Sequence, residues 1–170
     1  MRFRATVLVA VTSVLTALSP VSPVSAQHTD DRHSTGNTRG HSAAVDWAFV
    51  RREVFDVPLV DFVAHRVGGD PWFDWTTDGC SAVVLGNSGF SHDFRNSCIR
   101  HDFAYRNLKL LERRYGTGRS FWNTLNRKQA DQQFRADMRS HCKRRSWLLR
   151  LPCYTWAEVY YRSVRLLGGP

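Results

Sequence analysis

Apolar residues along this chain recur mostly at the three-and-four spacing of an amphipathic helix, and no segment keeps a two-residue alternation beyond a few positions. From Ala43 to Val67 the positions Phe49, Leu59, Val60, Val63 and Val67 hold helical register, with Pro58 placed to start a new helix or kink the first. Gly68 to Leu85 reads as loop, with Pro71, Gly79 and the aromatic group Trp72, Phe73 and Trp75; Gly86-Asn87-Ser88-Gly89 extends it. Two long helices follow, Phe94 to Tyr115, ending at Gly116, and Phe121 to Cys142. The connection from Gly116 to Ser120 is short enough to make them antiparallel neighbours. A last helix over Tyr154 to Leu167 carries Ala157, Tyr160, Tyr161 and Val164 on one face. The pattern predicts a mostly α chain, a small helical bundle around two long antiparallel helices.

The first 26 residues have a different grammar. Arg2 and Arg4 precede an apolar stretch from Ala5 to Leu18, and Val24-Ser25-Ala26 offers small residues for cleavage, so Met1 to Ala26 reads as a secretory signal peptide. Residues 27–42 hold no large apolar side chain and read as a disordered polar tail, leaving 43–170 as the folded domain. Removing 26 residues from 170, among them two arginines and no acid, leaves 144 residues and lowers the net charge from +9 to +7. A chain of that size buries roughly two-thirds of its surface, enough for one core. No later stretch reaches 18 apolar residues, so a membrane-spanning helix is not expected there. Export places Cys80, Cys98, Cys142 and Cys153 in an oxidising compartment, where an even set implies two disulfides. Three pairings are possible, and Cys80–Cys98 with Cys142–Cys153 is favoured because each closes a short loop. No CxxC occurs and the histidines lack ligand spacing, which disfavours zinc.

Candidate chemistry lies on the facing stripes of the two long helices. At 100° per residue, Phe94, Cys98, His101, Tyr105 and Leu108 share one stripe, and Asp131, Phe134, Met138 and Cys142 share the other. Asp137 falls about 100° off that stripe and is expected to face away. Antiparallel packing then brings His101 and Asp131 within reach, the pairing of a general base and the carboxylate that orients it. Taken alone, the pair equally suits a core histidine satisfied by a buried acid. Asp102 projects toward the helix flank, and a Cys80–Cys98 bridge would hold Asp78 and the Gly79 carbonyl near it. Two carboxylates, a carbonyl and water form an oxygen-only set suited to Ca²⁺.

The run Cys98-Ile99-Arg100-His101-Asp102-Phe103-Ala104-Tyr105-Arg106-Asn107 resembles that of the secreted bacterial and fungal phospholipase A2 family. Trp75-Thr76-Thr77-Asp78-Gly79-Cys80 is similar to its calcium loop, and Asp131, Phe134 and Asp137-Met138 are similar to its second helix. The resemblance spans Phe73 to Leu167. It implies a bundle of two antiparallel, disulfide-linked catalytic helices with a calcium-binding loop, and the same two bridges. It implies His101 as general base, Asp131 as its partner, and Ca²⁺ held by Asp78, the Gly79 carbonyl and Asp102. The implied activity is secreted, calcium-dependent hydrolysis of the sn-2 ester of glycerophospholipids by a monomer at a membrane or micelle surface. Ala104 departs from the usual glycine there. Trp147-Leu148-Leu149 and Trp72-Phe73 are candidate interface groups. The basic charge would also suit nucleic acid, but the longest basic run is only Lys143-Arg144-Arg145, and nucleic acid is not expected as a partner. Two alternatives share these residues: a metal-dependent phosphohydrolase built from His65, His101-Asp102 and Asp131, and a non-catalytic cationic membrane-binding protein on the same scaffold.

Overall fold

A computed structural model describes residues 40–81 and 86–169. The expected signal peptide, and the tail as far as residue 39, lie outside the described residues. The last tail positions are part of the fold. The Ser42 hydroxyl accepts a hydrogen bond from the Val45 amide and caps α1 (Ala43–Arg51), and the His41 ring stacks on Trp72.

The helical register of α1 runs into a π-helical turn, Arg52–Asp56, which ends before Pro58. Pro58 precedes α2 (Leu59–His65), as its ring requires, and a 3₁₀ turn, Arg66–Gly68, completes this N-terminal layer. The long loop that follows contains a two-stranded antiparallel hairpin of β1 (Ser88–Gly89) and β2 (His92–Asp93). Four residues of strand are too few to leave an alternating signal.

Next come α3 (Arg95–Tyr115) and α4 (Thr124–Lys143), close to the expected bounds. Asn123 caps α4, which starts three residues later than the apolar pattern suggested, and the Glu112 carboxylate holds the connecting turn by accepting from the Phe121 and Trp122 amides at 2.6 and 3.0 Å. The final helix, α5 (Trp147–Leu167), starts a full seven residues earlier than expected, with Pro152 inside it. Proline there removes one donor, and the carbonyl it orphans is that of exposed Leu148, where water can substitute.

Apolar burial falls into two clusters on opposite sides of α3. Phe103, Ala104 and Leu111 pack with Val50, Val54, Phe62 and Phe73 of the N-terminal segment. Phe94 and Cys98 pack with Phe134 and Met138 of α4 and Ala157, Tyr160 and Val164 of α5. Ala104 therefore sits in the first cluster, away from the His101 face. Both disulfides form as favoured, Cys80–Cys98 and Cys142–Cys153, with Cα separations of 5.3 and 5.6 Å. The first ties the loop to the start of α3, and the second ties α4 to α5. Among the described residues no helix is long and apolar enough to cross a membrane.

Candidate active site

His101 emerges from the second turn of α3 and Asp131 from about the second turn of α4. The helical spacing of each stripe aims both into the α3–α4 seam. Imidazole Nε2 lies 2.8 Å from Asp131 Oδ1, with the carboxylate fully buried. The ring is sandwiched against Phe134 and leans on Tyr105, with centroids 4.6 and 4.3 Å away. This fixes the ring plane, and a carboxylate at Nε2 favours the tautomer that carries its proton there.

Asp131 has more partners than sequence spacing revealed. The Tyr105 hydroxyl donates to Oδ1 at 2.6 Å, and Arg165, from the last turn of α5, donates to Oδ2 at 2.7 Å. The Arg127 guanidinium lies 3.6 Å from the same oxygen. Burial alone would raise the Asp131 carboxyl; the bonds from His101, Tyr105 and Arg165 outweigh it and hold the group below the usual carboxylate range. Tyr105 shared the predicted stripe with His101 and could have been found. Arg165 could not, because nothing in the period of α5 says which of its end residues reaches α4.

Asp137 corrects the sequence reading. It is buried, not turned outward, and takes a bidentate grip from buried Arg100, whose Nε bond is 2.9 Å long. The third Arg100 donor satisfies the Val57 carbonyl at 2.6 Å. α4 is covered by α5 and α3 and also touches the N-terminal segment, so a residue about 100° off the main stripe is still inside.

The loop before α3 is brought beside His101 by two anchors. The Cys80–Cys98 bridge is one. The other is fully buried Asn107, whose side chain accepts from the Asp74 amide at 2.9 Å and donates to the Asp74 carbonyl at 2.8 Å. Between them, the Asp102 carboxylate collects the loop: Oδ2 accepts from the Thr77 hydroxyl and from the Asp78 and Gly79 amides at 3.2 and 3.1 Å. Gly79 is required on two counts. Its φ of +71° is left-handed, and a Cβ would sit 2.6 Å from the Asn87 side chain. Asn87 in turn accepts from the Cys80 amide.

His101, Asp102, Tyr105, Gly79 and the first bridge line one cavity of about 250 Å³, completed by Phe134 and by Tyr160, Val164 and Leu167 of α5. His65 does not line it. That ring bonds Glu53 at 2.9 Å within the N-terminal layer, so the four groups needed for a His-ligated phosphohydrolase site are not assembled. Trp72 and Phe73 are also elsewhere: Phe73 is core, and the Trp72 indole donates to Asp46 at 2.7 Å.

A model of the family described as prokaryotic phospholipase A2 matches residues 51–168, which takes in the whole of this cavity. The chain belongs to that family. Two fungal relatives carry the name secretory phospholipase A2. One, from Beauveria bassiana (strain ARSEF 2860), is 35% identical over 119 residues, covering 69% of this chain and 56% of its own length. The other, from Arthroderma benhamiae (strain ATCC MYA-4681 / CBS 112371), is 34% identical over 125 residues, covering 71% of this chain and 78% of its own. The chain thus spans little more than half the length of the Beauveria protein.

Within this phospholipase A2-family chain, the loop and α3 present an oxygen-only donor set. Asp102 Oδ1 has no protein partner among the described residues. Burial raises the Asp102 carboxyl, the Thr77 bond opposes this, and the neighbouring Asp78 charge adds to the rise. A bound cation would offset both destabilising effects. Asp78 is half exposed, with Oδ1 accepting from Arg106 at 2.6 Å and Oδ2 from Ser81. These bonds hold its carboxyl below the usual range. A solvent-exposed ion pair of this kind opens at small cost. No three His, Cys, Asp or Glu side chains converge among the described residues, so an ion here would draw on carbonyl and water oxygens as well. That donor chemistry fits Ca²⁺ and not a thiolate- or imidazole-seeking metal.

Proposed function

We propose that the chain is a secreted, calcium-dependent phospholipase A2 that hydrolyses the sn-2 ester of glycerophospholipids. The observation that carries this reading is the buried His101–Asp131 pair opening onto a cavity that Asp102 and Gly79 also line. With Nε2 committed to Asp131, the His101 lone pair is at Nδ1, which has no protein partner among the described residues. Nδ1 takes a proton from water, and the water oxygen attacks the ester carbonyl carbon. Collapse of the tetrahedral intermediate breaks the bond to the glycerol oxygen, which leaves with the proton returned from the imidazolium. Fatty acid and lysophospholipid are the products. Asp131 keeps the ring oriented and its transient charge compensated, while Tyr105 and Arg165 keep Asp131 from turning.

Asp78, Asp102 and the Gly79 carbonyl would hold Ca²⁺, which supplies positive charge for the substrate phosphate and the developing oxyanion. Two carboxylates predict weak affinity, on the order of 10⁻⁴–10⁻³ M. No nucleophilic serine elbow of the Gly-x-Ser-x-Gly type occurs in the sequence, which supports direct attack by water. The leader-like N-terminus and the names of the two fungal relatives support secretion.

The test is fatty-acid release from phosphatidylcholine with regiochemistry scored, with and without a chelator. Wild type should release sn-2 acyl chains, lose activity with chelator and recover with Ca²⁺. His101→Ala should lower turnover about 10²–10⁴-fold while Ca²⁺ binding persists. Asp102→Ala should lose both. Undiminished turnover by His101→Ala would remove that residue as the base.

A further inference from the structure

The cation that Asp78 meets is supplied by the chain itself. Arg106 stands four residues after Asp102 on α3, one turn on along the same flank of the helix. Its guanidinium donates to Asp78 Oδ1 at 2.6 Å, and the Ser81 hydroxyl donates to Oδ2. The charges of Asp78, Asp102 and Asp74 all bear on Arg106. Among the described residues Asp78 has no other basic partner. One arginine is therefore the counter-ion of an acidic loop, and it holds a carboxylate that the proposed calcium site would use.

The two carboxylates are held differently. Asp102 is bound from inside the loop: Oδ2 accepts from the Thr77 hydroxyl and from the Asp78 and Gly79 amides, and Oδ1 has no protein partner among the described residues. Asp78 is bound from α3, by a pair that water reaches on both sides, since its side chain is 56% exposed and that of Arg106 36%. Such a pair is worth little and opens readily. A divalent ion drawing on the same carboxylate would face the guanidinium at close range, cation against cation, and that repulsion outweighs an exposed pair. We propose that Arg106 is a tethered competitor of calcium: it occupies Asp78 until the ion displaces it, and so raises the calcium concentration at which the site fills. Filling is then an exchange of one cation for another. The apparent affinity is the intrinsic one scaled by the fraction of molecules in which the pair is open. For an exposed pair that fraction is roughly one-sixth to one-half, so Arg106 weakens calcium binding about two- to sixfold. An arginine that merely braced the loop would act in the opposite sense, because its removal would loosen Asp78 and weaken binding. The competitor rests on the calcium reading proposed above, and calcium binding is measured without turnover so that the two can fail separately.

The experiment is calorimetric titration of the full chain with CaCl₂, in the absence of lipid, for wild type, Arg106→Gln and Lys109→Gln. Lys109 lies three residues further along the same flank, with its ammonium 4.7 Å over the Trp122 ring and no acidic partner among the described residues. Its variant therefore shows what loss of a nearby charge does without loss of a competitor. Arg106→Gln should bind Ca²⁺ about two- to sixfold more tightly than wild type, and Lys109→Gln should stay within about twofold of it. A second readout uses nitrogen-resolved NMR of wild type. The Arg106 guanidinium N–H signals should be distinct in chelator and merge into one freely rotating average at saturating Ca²⁺. Asp78→Asn should show the merged form in chelator. Because the calcium arm is read in the wild-type chain, it stands whether or not a variant folds. Equal or weaker binding by Arg106→Gln overturns the proposal, since the arginine would then be bracing the loop. So does a guanidinium that saturating Ca²⁺ leaves unchanged, or equal tightening by Lys109→Gln. Absence of calcium binding in all three proteins removes the calcium reading and the competitor together, whereas binding in the wrong order removes the competitor alone.

Discussion

Two adjacent residues of α3 reach across to α4, and each finds an aspartate. Arg100 meets Asp137 and His101 meets Asp131, both buried between the same pair of helices. The first couple is closed. Three Arg100 nitrogens are spent on Asp137 and the Val57 carbonyl, and Gln133 supports Asp137 at 3.1 Å. The second is open on one side: Asp131 is fully engaged, while the imidazole keeps one nitrogen toward a cavity. A buried charged pair is therefore no mark of function by itself. Space does not separate the two, since a cavity also borders Arg100 and Asp137; the unspent imidazole nitrogen does. The closed couple fixes how α3, α4 and the N-terminal segment meet; the open one is the couple proposed to act on substrate.

That contrast is sharpest if stability and activity are made to part. Asp137→Ala strands the buried Arg100 guanidinium and should destabilise the fold by about 3–5 kcal/mol, read as a shifted denaturation midpoint, with normal turnover per folded molecule. Asp131→Asn should lower kcat about 10²–10³-fold per folded molecule; because every partner of the carboxylate is a donor, the amide nitrogen also meets one and the midpoint falls as well. If Asp131→Asn hydrolyses at the wild-type rate, the two couples do not differ in kind. Cys142→Ser/Cys153→Ser removes the staple between α4 and α5 and should cost about 3 kcal/mol of stability on unfolding. The smallest effect is expected in the N-terminal layer, at fully buried Asp46. Burial raises its carboxyl, but bonds from His41, Trp72 and Tyr115 prevail and hold it below its ordinary 3.8. A depressed folded value means that the unfolded chain takes up the proton first. The contribution is therefore complete above about pH 4 and disappears as pH falls further. Asp46→Asn should lose about 1 kcal/mol at neutral pH and show a shallower acid limb in a denaturation series.

The long helices and the inward aim of His101, Tyr105 and Asp131 were legible because a 3.6-residue period survives in any helix that hides one face. So were both bridges, since each closes the nearest loop. Asp137 was misread because the wheel assumes one hidden face, and α4 is covered by α3, by α5 and by the N-terminal segment. The early turns of α5 were missed because Pro152 reads as a stop, although an exposed carbonyl can do without its donor. The β1–β2 hairpin was too short to have a period. Arg165 is the deepest case: its role depends on where the far end of one helix passes another, and only the assembled bundle determines that.

Arg165 also orders events in time. A ribosome delivers His101 first, then Asp131, and only after α5 has emerged the guanidinium that steadies the carboxylate's outer oxygen. A half-made chain folded through α4 would hold base and acid without that clamp. Completion of the dyad thus waits on α5, and until that helix packs, the central pair lacks its outer clamp.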